Sequence, residues 1–235
     1  MQLETRNSER KTMISRDANL SEQLVAVCRA LYQRQLVAAL DGNVSVRQGR
    51  DILTTPSGVS KGFLQSEDLV LVDTEGQVLA GTGQPTSELL LHLEVYRQRP
   101  EAMAVIHAHP PVATALTIAG VSLTEGILPE VVLTLGAIPT APYATTGTPA
   151  MAAAIRDLVP RYDAMLLEQH GALTVGRNLW DAYYKMEKVE QAAWTVWLAR
   201  QLGQARQLPP AEVAKLTALG IERGYRPPAA ALSKK

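Results

Sequence analysis

Two histidines one residue apart, His107 and His109, stand in the run Val105-Ile-His-Ala-His109, and a third, His170, directly precedes Gly171. In an extended strand residues i and i+2 project from the same face, so this run sends both imidazoles the same way. A metal takes up neutral ring nitrogens held close together. Three histidines with one open position form the arrangement of a catalytic zinc site, whereas structural zinc sites are closed and usually rich in cysteine. The plain alternative is that each ring is satisfied by local hydrogen bonds. The chain has only four histidines. The fourth, His92, follows Glu88 by four residues and reads as a packing residue, or one that supports the site from behind, rather than a fourth ligand.

The elements that must position these rings follow from hydrophobic periodicity. Leu20, Leu24, Val27, Cys28, Leu31 and Tyr32 recur at helical spacing, and Asp41-Gly42 stops that helix. Residues 43–47 and 51–55 read as a hairpin around Gln48-Gly49, and 69–73 and 77–80 as a second around Thr74-Glu75-Gly76. A helix is expected over 87–98 with Ser87 as its N-cap. A strand follows over 103–109, then a short helix to Gly120, a strand over 131–136 and a helix over 148–158. Residues 164–169 read as a strand with 172–175 as its continuation past Gly171. The longest helix spans 179–202, with Trp180, Tyr184, Val189, Trp194, Trp197 and Leu198 on its apolar face, and a last one spans 210–223. Strands occur in hairpins as often as across helices, which predicts an α/β fold with one mixed, largely antiparallel sheet covered by helices. One domain over 19–226 is expected, with loosely held tails at 1–18 and 227–235.

Composition narrows the function classes. The 235 residues carry 23 basic and 23 acidic side chains, and this balance, without any Lys/Arg-rich run, argues against a nucleic-acid or anionic-membrane surface. Cys28 is the single cysteine, which excludes an intramolecular disulfide and a cysteine-based zinc finger; it reads as an inert core residue. Apolar stretches are far shorter than the roughly 20 residues of a spanning helix. The first 17 residues are polar and of mixed charge, so a cytoplasmic, reduced setting is the expectation. No glycine-rich dinucleotide fingerprint and no NTPase phosphate loop is present.

Five short motifs occur in order: Gly42-Asn43-Val-Ser-Val-Arg47, Thr55-Pro56-Ser57-Gly58, Thr86-Ser87-Glu88, Val105-Ile-His-Ala-His109 and Glu168-Gln-His-Gly171. Together they make the chain resemble the class II aldolase/adducin family, most closely its fuculose-phosphate aldolase branch, from about Leu20 to about Tyr225. The resemblance implies a three-layer α/β/α sandwich and a Zn2+ ion, with Mn2+ or Co2+ as alternatives, held by His107, His109 and His170. It implies that Glu88 binds the metal at rest and serves as catalytic acid/base. Gly42 with Asn43, Ser57 with Gly58, and Thr86 with Ser87 would hold a substrate phosphate and its neighbouring oxygens. A homotetramer acting on a small phosphorylated sugar is implied as well. The chemistry is coherent: a divalent cation stabilises the charge that develops when a bond next to a ketone breaks, a carboxylate moves the proton, and fixed backbone and hydroxyl donors orient a phosphate. Plainer readings stand beside these. Thr86-Ser87-Glu88 also suits a helix N-terminus, Pro56-Ser57-Gly58 a turn, and Asp41-Gly42-Asn43 a helix stop. Trp194 and Trp197 suit a core or subunit contact.

Two aromatic positions at the aldehyde end of the family's sugar site are not kept: alignment through His109 puts Leu128 near one and Thr146 at the other. The first is a tyrosine given a proton-donor role. Glu130, two residues beyond Leu128, reads as a second acid/base, as a neighbour of the zinc site or as a surface glutamate before a strand, and Tyr225 as the counterpart of a C-terminal tyrosine. A decarboxylase of sugar-acid phosphates or aromatic acids needs no aldehyde site and fits the lost tyrosine. A pentulose-phosphate 4-epimerase fits less, because its aspartate and tyrosine pair has no counterpart here. A metal-free, adducin-like binding module is disfavoured by the three histidines.

Overall fold

The structure, a computed structural model, describes residues 18–225. The tails expected at 1–18 and 227–235 lie outside the described residues except for Ala18, which opens helix α1 (Ala18–Gln33). A hairpin of β1 (Asn43–Gln48) and β2 (Asp51–Thr54) follows, then β3 (Val70–Val72) and β4 (Val78–Ala80). Helix α2 (Leu89–Gln98) leads to β5 (Ala104–Ala108), α3 (Pro111–Ile118), α4 (Pro129–Thr134), β6 (Thr140–Ala141) and α5 (Pro149–Ile155). The chain closes with β7 (Ala164–Leu167), β8 (Gly171–Gly176), α6 (Leu179–Gln201) and α7 (Pro210–Glu222).

The eight strands form one sheet in the order β4-β3-β2-β1-β5-β8-β7-β6. Every named pair is antiparallel except β6 with β7, so the expected mixed, largely antiparallel sheet is found. Period-two alternation divides the central strands between two cores. Val44, Val46, Ala104, Ile106 and Ala172 pack with residues of α1, α3 and α6 on one face, while Val105, Leu173 and Val175 pack with α2 and α5 on the other. The result is the three-layer α/β/α sandwich. Among the described residues, no helix is long and apolar enough to cross a membrane.

The structure departs from the sequence reading in four places. Residues 131–136, read as a strand, belong to helix α4 and its C-terminal turn. Pro129 starts that helix, where its missing N–H costs nothing, and Thr134 Oγ1 donates to the Glu130 carbonyl at 2.6 Å. Residues 164–175 are not one continued strand but an antiparallel hairpin, with Leu167 opposite Gly171. Gln169, at φ 53°, makes the reversal. The N-cap of α2 is Glu88 rather than Ser87; the Glu88 side chain makes no capping bond, and its N–H donates to Thr86 Oγ1 at 3.3 Å. The face α6 buries is built of Ala182, Tyr183, Met186, Val189, Ala193 and Val196, while Tyr184, Trp194, Trp197 and Leu198 are exposed. Small residues are needed on that seam because the helix lies close to β8: Thr174 Oγ1 donates to the Ala182 carbonyl at 2.9 Å.

Candidate functional site

The site is assembled where β1, β5 and the β7–β8 turn meet the start of α2. The β1–β5 register sets Asn43 opposite His107, so both side chains leave the sheet on the α2 side. Just before Asn43 the chain passes so close to β5 that only glycine is accommodated. Gly42 has φ 72°, and a Cβ there would press on Val37 and the His107 carbonyl. Gly171 plays the corresponding part from the other side. A Cβ on it would strike the Ala108 carbonyl and the His109 ring, so β8 begins hard against the end of β5 and carries His170 beside the other two histidines.

The three rings stand with centroids 4.6 to 4.9 Å apart, and one ligand nitrogen from each lies within 4.8 Å of the others, a grouping that could hold a metal ion. His107 Nδ1–H donates to the Ala172 carbonyl at 3.0 Å, which turns Nε2 inward. That nitrogen lies 3.0 Å from His109 Nε2 and 3.2 Å from Glu88 Oε2, and His170 Nε2 lies 3.5 Å from Glu88 Oε1. Four electron-pair donors thus face one point, and Glu88 Oε1 is buried with no hydrogen-bond partner among the described residues. Either a proton or a cation completes such a cluster, and a divalent ion displaces the proton as it binds. The donor set therefore fits a divalent metal of the zinc type.

Electrostatics points the same way. Burial, then the neighbouring His107, pushes His109 and His170 down to about 4, so both rings are neutral near pH 7, the form in which imidazole ligates. Burial works against an ionised Glu88. The charge of His107 and the hydrogen bonds from His107 and Asn43 outweigh it and hold the carboxyl well below the usual carboxylate range.

Above the rings opens a cavity of about 390 Å³. Its wall includes Gly42, Asn43, Ser57, Gly58, Thr86, Ser87, Glu88, His109 and His170, so the three residue pairs singled out in the sequence meet around Glu88. His107, fully buried, lies beneath. Thr146 also lines the cavity. Glu130 and Tyr225 do not: Glu130 is exposed on α4 beside a separate groove with Arg34 and Lys188, and Tyr225 follows α7, its N–H bonded to the Gly220 carbonyl.

Sequence reasoning missed Lys61. Its side chain is buried at the cavity wall and donates to the Leu40 carbonyl at 2.8 Å and the Val59 carbonyl at 2.7 Å, tying together the loops that carry Gly42 and Gly58. Burial lowers its pKa from the ordinary lysine value. A lysine in a Pro-Ser-Gly loop reads as a solvated residue, and its only signal was a position three residues beyond Gly58.

Residues 22–197 match the family model described as Class II Aldolase and Adducin N-terminal domain. An L-fuculose phosphate aldolase of Methanococcus maripaludis is 33% identical over 180 residues, covering 77% of this chain and 97% of that protein. A 3-oxo-tetronate 4-phosphate decarboxylase of Cupriavidus necator is 31% identical over 189 residues, covering 79% and 86%. Among solved structures, an L-fuculose 1-phosphate aldolase superposes with a TM-score of 0.82 at 27% identity, covering 89% of this chain and 98% of that one.

Proposed function

The chain belongs to the class II aldolase and adducin family, and from that premise we propose that it is a zinc-dependent lyase. It cleaves a phosphorylated ketose, L-fuculose 1-phosphate or a similar 1-phosphate, to dihydroxyacetone phosphate and an aldehyde. The observation that carries this reading is the convergence of His107, His109, His170 and Glu88 on one point at the floor of a cavity walled by small hydroxyl and glycine residues.

His107, His109 and His170 hold the ion, and Glu88 joins them at rest. A divalent cation held there would supply Lewis acidity for the charge that develops beside the ketone. The fixed donors of Ser57, Gly58, Thr86 and Ser87, with the backbone at Gly42, orient the phosphate, and the Lys61 ammonium adds a positive charge beside them. As the bond between carbons 3 and 4 breaks, its electron pair passes into the enediolate of the ketose fragment. The carbon 4 hydroxyl passes its proton to solvent water and becomes the aldehyde. Glu88, having taken up a proton from water, delivers it to carbon 3. The reading extends to a cytoplasmic homotetramer with one domain over 19–226; the exposed Tyr184, Trp194 and Trp197 on α6 support a subunit contact.

A second reading is supported by the aldehyde end of the cavity. Thr146 stands there in place of an aromatic ring, Leu128 lies outside, and Glu130 faces another groove. Decarboxylation of a 3-oxo sugar-acid phosphate needs no acid/base at that end: the carboxyl group leaves as carbon dioxide, its electron pair enters an enolate, and Glu88 protonates the carbon. Metal analysis followed by assay of a panel of ketose 1-phosphates separates the two. Release of dihydroxyacetone phosphate by a zinc-loaded chain is expected, while carbon dioxide release from a sugar-acid phosphate without aldol cleavage overturns the first reading in favour of the second.

A further inference from the structure

Behind Glu88 runs an unbroken chain of four short hydrogen bonds between β1 and α2. Asn43 Nδ2 lies 2.9 Å from Glu88 Oε2, Asn43 Oδ1 lies 2.6 Å from His92 Nε2, His92 Nδ1 lies 2.6 Å from Ser45 Oγ, and Ser45 Oγ lies 2.9 Å from the Tyr96 hydroxyl. Ser45 and His92 are fully buried, and Asn43 and Tyr96 nearly so. The secondary structure explains why they meet. Asn43 and Ser45 are alternate residues of β1 on the face that looks at α2, and Glu88, His92 and Tyr96 follow one another at four-residue spacing along α2, so the two rows interleave.

The direction of every bond in this chain is determined from one end. An ionised carboxylate only accepts, so Asn43 must turn its NH2 group toward Glu88. Its carbonyl oxygen then faces His92 and also only accepts, so His92 must carry its hydrogen on Nε2. A neutral imidazole with Nε2–H has a lone pair on Nδ1, so the Ser45 hydroxyl donates to it. The remaining lone pair of Ser45 receives the Tyr96 hydroxyl hydrogen. Neutrality of His92 is consistent with its setting, since burial, then the neighbouring His107, pushes it down to about 3.

We propose that His92, with Ser45 and Tyr96, is a positioning residue of the site: it locks the Asn43 amide so that the NH2 group faces Glu88 and the cavity, and it thereby holds the Glu88 carboxylate in one orientation. The assignment rests on the lyase reading for Glu88's task, but the hydrogen-bond order itself does not depend on it. The role differs from packing because the alternative Asn43 rotamer would place Oδ1 against the carboxylate and leave an N–H pointing at the Nε2 hydrogen of His92. An apolar side chain of similar volume at position 92 removes the donor that fixes the Asn43 carbonyl, leaving Glu88 alone to favour one rotamer over the other. Glutamine keeps it, because its amide nitrogen reaches about as far as histidine Nε2 and still donates to Asn43 Oδ1.

The test uses the full chain, with and without zinc. Two-dimensional 15N spectra of the histidine side chains should show His92 as a neutral imidazole with its hydrogen on Nε2 at neutral pH; a hydrogen on Nδ1, or averaging between the two, overturns the proposal. In titrations with zinc alone and in turnover, H92L should lose affinity and kcat by about 10–100-fold, the usual range for residues that orient a metal ligand. KM for the phosphorylated ketose should move by much less, and H92Q should recover most of the loss. Equal losses in H92Q and H92L, or none in H92L, overturn it as well. If the chain turns over no ketose phosphate, the lyase reading fails by itself, while the His92 tautomer and the zinc affinities of the two variants still decide this proposal.

Discussion

The two faces of β1 and β5 are made by the same ten or so backbone positions and have opposite characters. Toward α1 and α6 the strands present Val44, Val46, Ala104, Ile106 and Ala108 to an apolar core. Toward α2 they present Asn43, Ser45 and His107, all buried and all joined to polar partners. Apolar packing is non-directional and accepts substitutions of similar volume. A buried polar array is directional, and each member is obliged by its neighbour. The contrast teaches where this fold keeps its tolerance: one face supports the sheet, and the other fixes atoms.

The largest effect that would sharpen this comparison comes from the polar face. In the variant H109A, bound metal and activity should both be lost, as read by metal analysis of the purified protein; a variant that keeps stoichiometric zinc removes His109 from the ligand set. Next comes a buried polar cluster remote from the cavity, where Asp163 meets Arg99 at 2.8 Å and Lys185 at 2.8 Å. Burial opposes its ionisation, but Lys185 and Arg99 together hold the carboxyl below its ordinary value. A carboxyl depressed in the folded state contributes stability above its unfolded pKa of about 3.9 and loses it as pH falls through the lower folded value. Urea unfolding should therefore place D163N about 3 kcal/mol below the parent near pH 7. The gap should close in acid, and one that is constant with pH contradicts the ion-pair account.

Smaller effects compare the two faces at adjacent strands. The variant S45A leaves His92 Nδ1 without its donor and Tyr96 without its acceptor, which should cost about 1–3 kcal/mol in urea unfolding. On the opposite face I106V removes one methyl group and should cost only about 0.5–1.5 kcal/mol. The distinction is sharper in activity, where S45A should lower kcat and I106V should leave it near the parent value. Equal loss of kcat in both would erase the difference between the faces.

Much of this arrangement was legible in the chain itself, because it rests on short-range rules. Period-two spacing put His107 and His109 on one face, and the Gly42–Asn43 and Ser57–Gly58 pairs stood beside recognisable strands and turns. What was hidden depends on contacts between distant segments. The hairpin at Gln169 turns on a positive φ in a residue that usually avoids it, and the apolar run at 131–135 suits a strand as well as a helix until Pro129 and α7 decide it. The buried side of α6 is chosen by its closeness to β8, which favours alanines over tryptophans. Lys61 carried no functional signal in the sequence, and His92 read equally as a packing residue or as one that supports the site from behind. Only the fold shows one bridging two loops and the other facing Asn43.

The central claim is that a metal-bearing histidine cluster and the Glu88 carboxylate move a proton at the carbon next to a ketone. It is tested most directly by following hydrogen exchange into dihydroxyacetone phosphate in deuterated water. The zinc-loaded chain should introduce deuterium at the hydroxymethyl carbon, chelation should abolish this, and E88Q should retain zinc while losing exchange by a factor of about 10²–10⁴. Undiminished exchange in E88Q, or none in the zinc-loaded parent, would contradict the account.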